Sequence, residues 1–171
     1  MNSEHIMVLG LGNILFTDEG FGIHIIEKLQ KICKFPDNVS IVDGGVLGLN
    51  LLGIICQADL LIVVDAIRNN GKAGSLYRLE GDAIPERVRA KNSLHQIDFI
   101  EALTMCQALD KVPETVILGI EPEDIETVSI DLTATAHEKI DQMIDMVLAE
   151  FDRLGIHYQK RAADNVSCDS I

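Results

Sequence analysis

Apolar residues along this chain gather in short runs, separated by stretches of helical periodicity, and the alternation of the two predicts the architecture. Residues 5–11 form an apolar run stopped by glycine, the mark of a buried strand. From about Asp18 to Cys33 the spacing turns helical, with Ile25, Ile26, Leu29 and Ile32 on one stripe. Lys28, Lys31 and Lys34 collect towards the end of that helix, where its dipole favours cations. Residues 39–42 predict a second strand ending in the turn Asp43-Gly44-Gly45, and residues 47–56 a short helix weakened by Gly48 and Gly53. Leu60-Leu61-Ile62-Val63-Val64 is apolar on both faces, as a central parallel strand should be, and it closes on Asp65-Ala66. Residues 75–79 follow too soon for a helical crossover, which favours an antiparallel edge strand.

Ser93 and Gln96 form a capping-box pattern that opens the next helix, with Ile100, Leu103, Cys106 and, at its end, Leu109 inward. Residues 115–120 make a further apolar strand, ended by Glu121-Pro122-Glu123. Thr135 and Glu138 repeat the capping box before a final helix that buries Ile140, Ile144, Val147 and Phe151 and stops at Gly155. The order β-α-β-α-β-β-α-β-α predicts an α/β three-layer sandwich: about five strands in a mostly parallel twisted sheet, helices on both faces. The pattern assigns residues 1–155 to a single α/β domain and residues 156–171, polar and without period, to a C-terminal tail.

Composition narrows the function. At 171 residues and 47% apolar content the chain can bury one substantial core. A net charge of −13 argues against nucleic acid as a partner, since phosphate binding needs a clustered basic surface. No apolar run approaches the ~18 residues of a membrane span, and the start lacks the features of a signal peptide. Cys33, Cys56, Cys106 and Cys168 are scattered without a CxxC pair, a poor disulfide framework that suits a reducing cytoplasm.

In an open parallel sheet, ligands bind beyond the carboxyl ends of the strands. The polar residues expected there are Asn13, Asp18 and Glu19 after the first strand, Asp43 with Gly44 and Gly45 after the second, Asp65 after the third, and Glu121 after the last. His95, early in its helix, can reach the same rim. Glu19, Asp65 and His95 would make a two-carboxylate, one-imidazole set that suits zinc, nickel or another first-row divalent ion. Each also has a plainer reading. Asp18 fits a helix cap, Glu19 complements a helix dipole, Asp65 caps a strand end, and His95 fits an exposed surface. Leu15 stands where the dinucleotide fingerprint needs glycine or alanine, and no Walker A loop, GxSxG elbow or HExxH helix occurs. If the chain hydrolyses a bond, water on a metal is a better nucleophile than any side chain.

The run Val8-Leu9-Gly10-Leu11-Gly12-Asn13-Ile14-Leu15-Phe16-Thr17-Asp18-Glu19-Gly20-Phe21-Gly22 resembles the opening motif of the hydrogenase maturation endopeptidases. The resemblance continues through Asp43-Gly44-Gly45 with Gly48, Leu61-Ile62-Val63-Val64-Asp65-Ala66, Ser93-Leu94-His95-Gln96 and Leu118-Gly119-Ile120-Glu121-Pro122, in that family's order. It covers roughly residues 6 to 154. It implies an enzyme that trims the C-terminal extension from the large-subunit precursor of a nickel–iron hydrogenase, with Glu19, Asp65 and His95 as the metal-contacting positions. It further implies that the nickel is carried by the precursor, that no organic cofactor takes part, and that Asn13, Asp43, Gly44 and Gly45 shape a loop at the site. Three other readings compete: a chaperone that binds nickel or precursor without cutting, a peptidyl-tRNA-hydrolase-like enzyme, and a small-molecule binding domain using Asp43, which stands where a ribose-binding acid would. The peptidyl-tRNA-hydrolase family needs a histidine soon after its Gly-Leu-Gly-Asn run, where Asp18 and Glu19 stand here. The sequence leaves the oligomeric state open.

Overall fold

A computed structural model describes residues 4–45, 51–81 and 94–161, the side chains of 94–98 and 100 excepted. The chain runs β1 (Ile6–Leu11), a 3-10 turn (Thr17–Gly20), α1 (Phe21–Ile32), β2 (Cys33–Lys34), β3 (Val39–Gly45), α2 (Leu51–Ile55), β4 (Leu60–Ala66) and β5 (Leu76–Glu80). Then follow α3 (Leu94–Ala108), β6 (Glu114–Ile120), α4 (Ala134–His137), α5 (Ile140–Arg153) and β7 (Gln159–Lys160). The main sheet has the order β3-β1-β4-β6-β5. All its pairs are parallel except β5 against β6, so the short strand after β4 is the antiparallel edge its spacing called for.

Alternation along the strands sorts the core into two layers. Ile6, Val8, Ile62, Val64, Val116 and Leu118 face α1 and α5, where they meet Ile25, Leu29, Val147 and Phe151. Met7, Leu9, Leu61, Val63 and Ile117 face the other way, against Leu51 and Ile55 of α2 and Phe99 and Cys106 of α3. Each fully buried aliphatic or aromatic side chain stabilises the fold by about 1.5–3 kcal/mol.

Several elements differ from expectation. The first helix does not begin at Asp18; a 3-10 turn holds residues 17–20, and the α-helix starts at Phe21. The second strand does not stop at residue 42. Asp43, Gly44 and Gly45 belong to β3, with Gly10 opposite Asp43, Leu11 opposite Gly45, and a register shift between the two pairs. Thr133, not Thr135, is the cap before the last helices: its side chain accepts from Ala136 N at 3.2 Å. Leu109, expected inward, is 58% exposed, because the helix has already ended at Ala108. Ser93, Gly48 and the Ile100 side chain lie outside the described residues.

The expectation of a featureless tail from residue 156 is corrected for its first six residues. β7 pairs antiparallel with β2, and Arg161 N donates to Ile32 O at 2.7 Å. Tyr158 packs at a tilt against Phe35 and Phe151, with ring centroids 6.4 and 6.1 Å away. One aromatic and a two-residue strand are too little pattern to detect in sequence, yet enough to seat the segment.

Candidate active site

The sheet order creates a crevice. From β1 the chain moves to β3 on one side, and from β4 it moves to β5 and β6 on the other. Where neighbouring strands send their loops apart, their carboxyl ends leave a binding cleft. Glu19 follows β1 and Asp65 ends β4, so both flank that point.

Two glycines hold the Glu19 turn in place. Gly12 has φ +126°, and a Cβ there would lie 1.7 Å from the carbonyl oxygen of Glu19. At Gly22 a Cβ would lie 2.3 Å from the Val64 oxygen and 2.4 Å from the Leu11 oxygen. The start of α1 therefore rests directly on the backbone of β1 and β4, one residue before Asp65. The turn itself is closed by Glu19 N donating to Phe16 O at 3.0 Å, and Glu19 is half-buried.

Asp65 is 4% exposed. Strand alternation puts it on the same face as Leu61 and Val63, the face covered by α2 and α3. His95 occupies the first turn of α3. Because α3 leads into the amino end of parallel β6, its own start lies at the carboxyl end of the sheet. The backbone thus carries Glu19, Asp65 and His95 to one end of the domain, while the His95 side chain lies outside those described. Among the described residues, no three His, Cys, Asp or Glu side chains converge as a metal cage.

The loop residues have distinct places. Asn13 Oδ1 accepts from Leu15 N at 3.0 Å, folding the loop after β1 on itself. Gly45 O accepts from Gly12 N at 3.2 Å, tying the end of β3 to the same loop. Gly44 is buried against Leu9 and Leu11, and Asp43 is exposed. Glu121 is not a free rim acid: its Oε2 accepts from Asn69 N at 2.7 Å and from the Tyr77 hydroxyl at 2.8 Å, organising the loop after β4.

Asp18 has a role that its position in sequence conceals. It is fully buried and does not cap a helix. Its Oδ2 accepts from Glu123 N (2.9 Å), Asp124 N (3.2 Å) and Thr133 Oγ1 (2.9 Å), and its Oδ1 from Thr133 N (2.9 Å). The neighbouring Thr17 has φ +40°, an uncommon strain for a β-branched residue, and is held there by Asp124 O at 2.5 Å from its hydroxyl. Thr17 N donates to Ser129 O at 2.9 Å, and Ser129 N to Leu15 O at 3.0 Å, a parallel bridge centred on Phe16 and Ser129. Two loops far apart in sequence are thus riveted into one lip beside Glu19. The lip bears exposed apolar side chains: Ile14 (44%), Leu15 (53%), Val128 (76%) and Ile130 (64%).

The relatives of the chain show which family it belongs to. The family model for hydrogenase maturation proteases of the HycI type matches residues 23–150. This chain belongs to the hydrogenase maturation protease family. It is thus an enzyme of the peptide-hydrolysing class. The matched stretch spans Asp65 and His95 and begins just beyond Glu19. The hydrogenase 2 maturation protease of Escherichia coli K12 is 36% identical over 160 residues, 92% of this chain and 97% of the relative. A hydrogenase expression/formation protein, HupD, from Bradyrhizobium diazoefficiens is 38% identical over 94% of this chain and 84% of its own length. The solved hydrogenase maturating endopeptidase HybD of E. coli superposes with a TM-score of 0.88 at 34% identity, covering 92% of this chain and 98% of that one. Among the described residues of this protease, no helix is long and apolar enough to cross a membrane.

Proposed function

We propose that this protease removes the C-terminal extension of a nickel-loaded hydrogenase large-subunit precursor in the cytoplasm, and that Glu19, Asp65 and His95 read the nickel carried by that substrate. The observation that carries the reading is the seating of the Glu19 turn on the end of β4, one residue from Asp65. Two carboxylates and an imidazole suit a first-row divalent ion whose coordination is incomplete. The precursor's ion is then both recognition element and anchor, holding the scissile peptide at the crevice for attack by water.

The lip supports the same reading. No Lys or Arg occurs before Lys28 or between Lys111 and Lys139, the stretches that build it, whereas Glu19, Glu123, Asp124, Glu126 and Asp131 do. An apolar ridge in an acidic setting fits a precursor segment that is apolar and flanked by basic residues. Ile14, Leu15, Val128 and Ile130 would meet its apolar part.

Incubating the protease with nickel-loaded and nickel-free precursor and following the mobility shift of trimming tests this. Cutting is expected only of the loaded form. Glu19→Gln, Asp65→Asn and His95→Ala should each slow it about 100-fold or more, since outer-shell changes at metal sites already cost 10–100-fold. Equal trimming of nickel-free precursor would overturn nickel recognition, and binding of loaded precursor without trimming would overturn cleavage itself.

A further inference from the structure

At the other end of α2 and α3, away from the crevice, two thiols meet. Cys56 directly follows α2 and Cys106 lies in the last turn of α3. Their Sγ atoms are 2.8 Å apart, although 50 residues separate them in sequence. A disulfide bond measures about 2.05 Å, so under 1 Å of approach would close one. Cys106 is fully buried, whereas Cys56 is partly exposed. This pair takes no part in the peptidase reading, and no scattered-cysteine pattern in the sequence announces it.

We infer that Cys56 and Cys106 form an oxidisable pair that closes to a disulfide when the protein meets a hydroperoxide, and reopens with a thiol reductant. Cys56, the sulfur that solvent can reach, attacks the peroxide as thiolate. One peroxide oxygen becomes its sulfenic acid, and the other leaves with the proton as water or alcohol. The Cys106 sulfur then attacks the Cys56 sulfur. The S–S bond forms, the sulfenic S–O bond breaks, and the hydroxyl departs with the Cys106 proton as water. Two thiols are oxidised and one peroxide is reduced. Burial, then the hydrogen bond with Cys56, pushes the Cys106 thiol up to about 12, so the first attack falls to the solvent-reachable Cys56, and Cys106 gives up its proton only as it attacks the adjacent sulfenic sulfur. The product staples α2 to α3 at their carboxyl ends. The start of α3, where His95 lies, is about 16 Å further along the helix at 1.5 Å per residue.

The test treats the full-length protein with hydrogen peroxide, blocks remaining thiols with a maleimide under denaturing conditions, and maps the peptides by mass. The expected result is a single Cys56–Cys106 cross-linked peptide, two hydrogens lighter than the reduced pair, with Cys33 and Cys168 still labelled. Dithiothreitol should restore labelling at both positions. Closing a loop of this length should raise Tm by about 5–15 °C. In Cys106→Ala, the Cys56 sulfenic acid should persist and be trapped by dimedone. Full maleimide labelling of Cys56 and Cys106 after oxidation would overturn the pair, as would a cross-link from either to Cys33 or Cys168. The wild-type peptide map decides the matter even if Cys106→Ala fails to fold.

Discussion

Asp18 and Glu150 are both almost wholly withdrawn from water, yet the groups that receive them differ in kind. Glu150 lies near the strand amino ends, beside Leu60 and Glu114. Arg78 Nε donates to it at 2.5 Å and Arg153 Nε at 2.9 Å, so it is neutralised by guanidinium groups. Asp18 lies at the opposite end, beside the crevice, and its four hydrogen bonds come from backbone amides and a hydroxyl. Both satisfy the rule that a buried carboxylate must be fully hydrogen-bonded. Only one solution adds positive charge. Amide dipoles hold the Asp18 carboxylate and leave the rim acidic, which suits the proposed docking of a substrate-borne cation at Glu19 and Asp65, where an arginine would repel it. The Glu150 end has no part in that proposal, and arginine serves there.

That contrast can be tested from its largest effect down. Asp18→Ala strands the donors of residues 123, 124 and 133 in the interior and should cost about 3–5 kcal/mol in denaturant unfolding. Asp18→Asn should recover part of that stability but lose trimming, because an amide nitrogen faced with N–H donors lets the lip part and Glu19 shift. Normal trimming by Asp18→Asn would break the link between clamp and site. Glu150→Gln should cost less, about 1–3 kcal/mol, and keep cutting intact.

Acid should separate the two further. The Arg78 hydrogen bond, reinforced by Arg153 and opposed by burial, holds the Glu150 carboxyl below the usual range. Its stabilising contribution is therefore complete above the unfolded carboxyl's value near 4.3 and fades as pH falls through the lower folded value. Comparing Tm between pH 7 and pH 3 should show a smaller acid-induced drop in Glu150→Gln than in wild type. An equal drop would remove Glu150 from the acid response. Smallest of all, Arg153→Ala should cost about 1 kcal/mol or less, since Arg153 is half exposed and Arg78 keeps hold of Glu150.

The sheet and its helices were legible in the sequence because the central strands are short runs apolar on both faces, and α1 and α5 repeat their buried residues at a period near 3.6. Glu19 and Asp65 were legible as rim residues because strand ends locate the rim. Asp18 was not: its partners lie 105 to 115 residues away, and an acid before an apolar helix looks like a cap whatever it binds. Asp43-Gly44-Gly45 looked like a turn because glycines usually end strands. Here Gly44 fits β3 closely over Leu9 and Leu11, and Gly45 takes a positive φ at the strand's end. Cys56 and Cys106 each looked solitary, for spacing along a chain says nothing about which helix ends pack together.

The exposed ridge of Ile14, Leu15, Val128 and Ile130 also bears on how the free protein behaves in solution. An exposed apolar surface of this kind favours association of two copies, and a net charge of −13 opposes it. That repulsion weakens as added salt shortens its range to a few ångströms. Self-association should therefore rise with ionic strength, and replacing Val128 with Ser should suppress it.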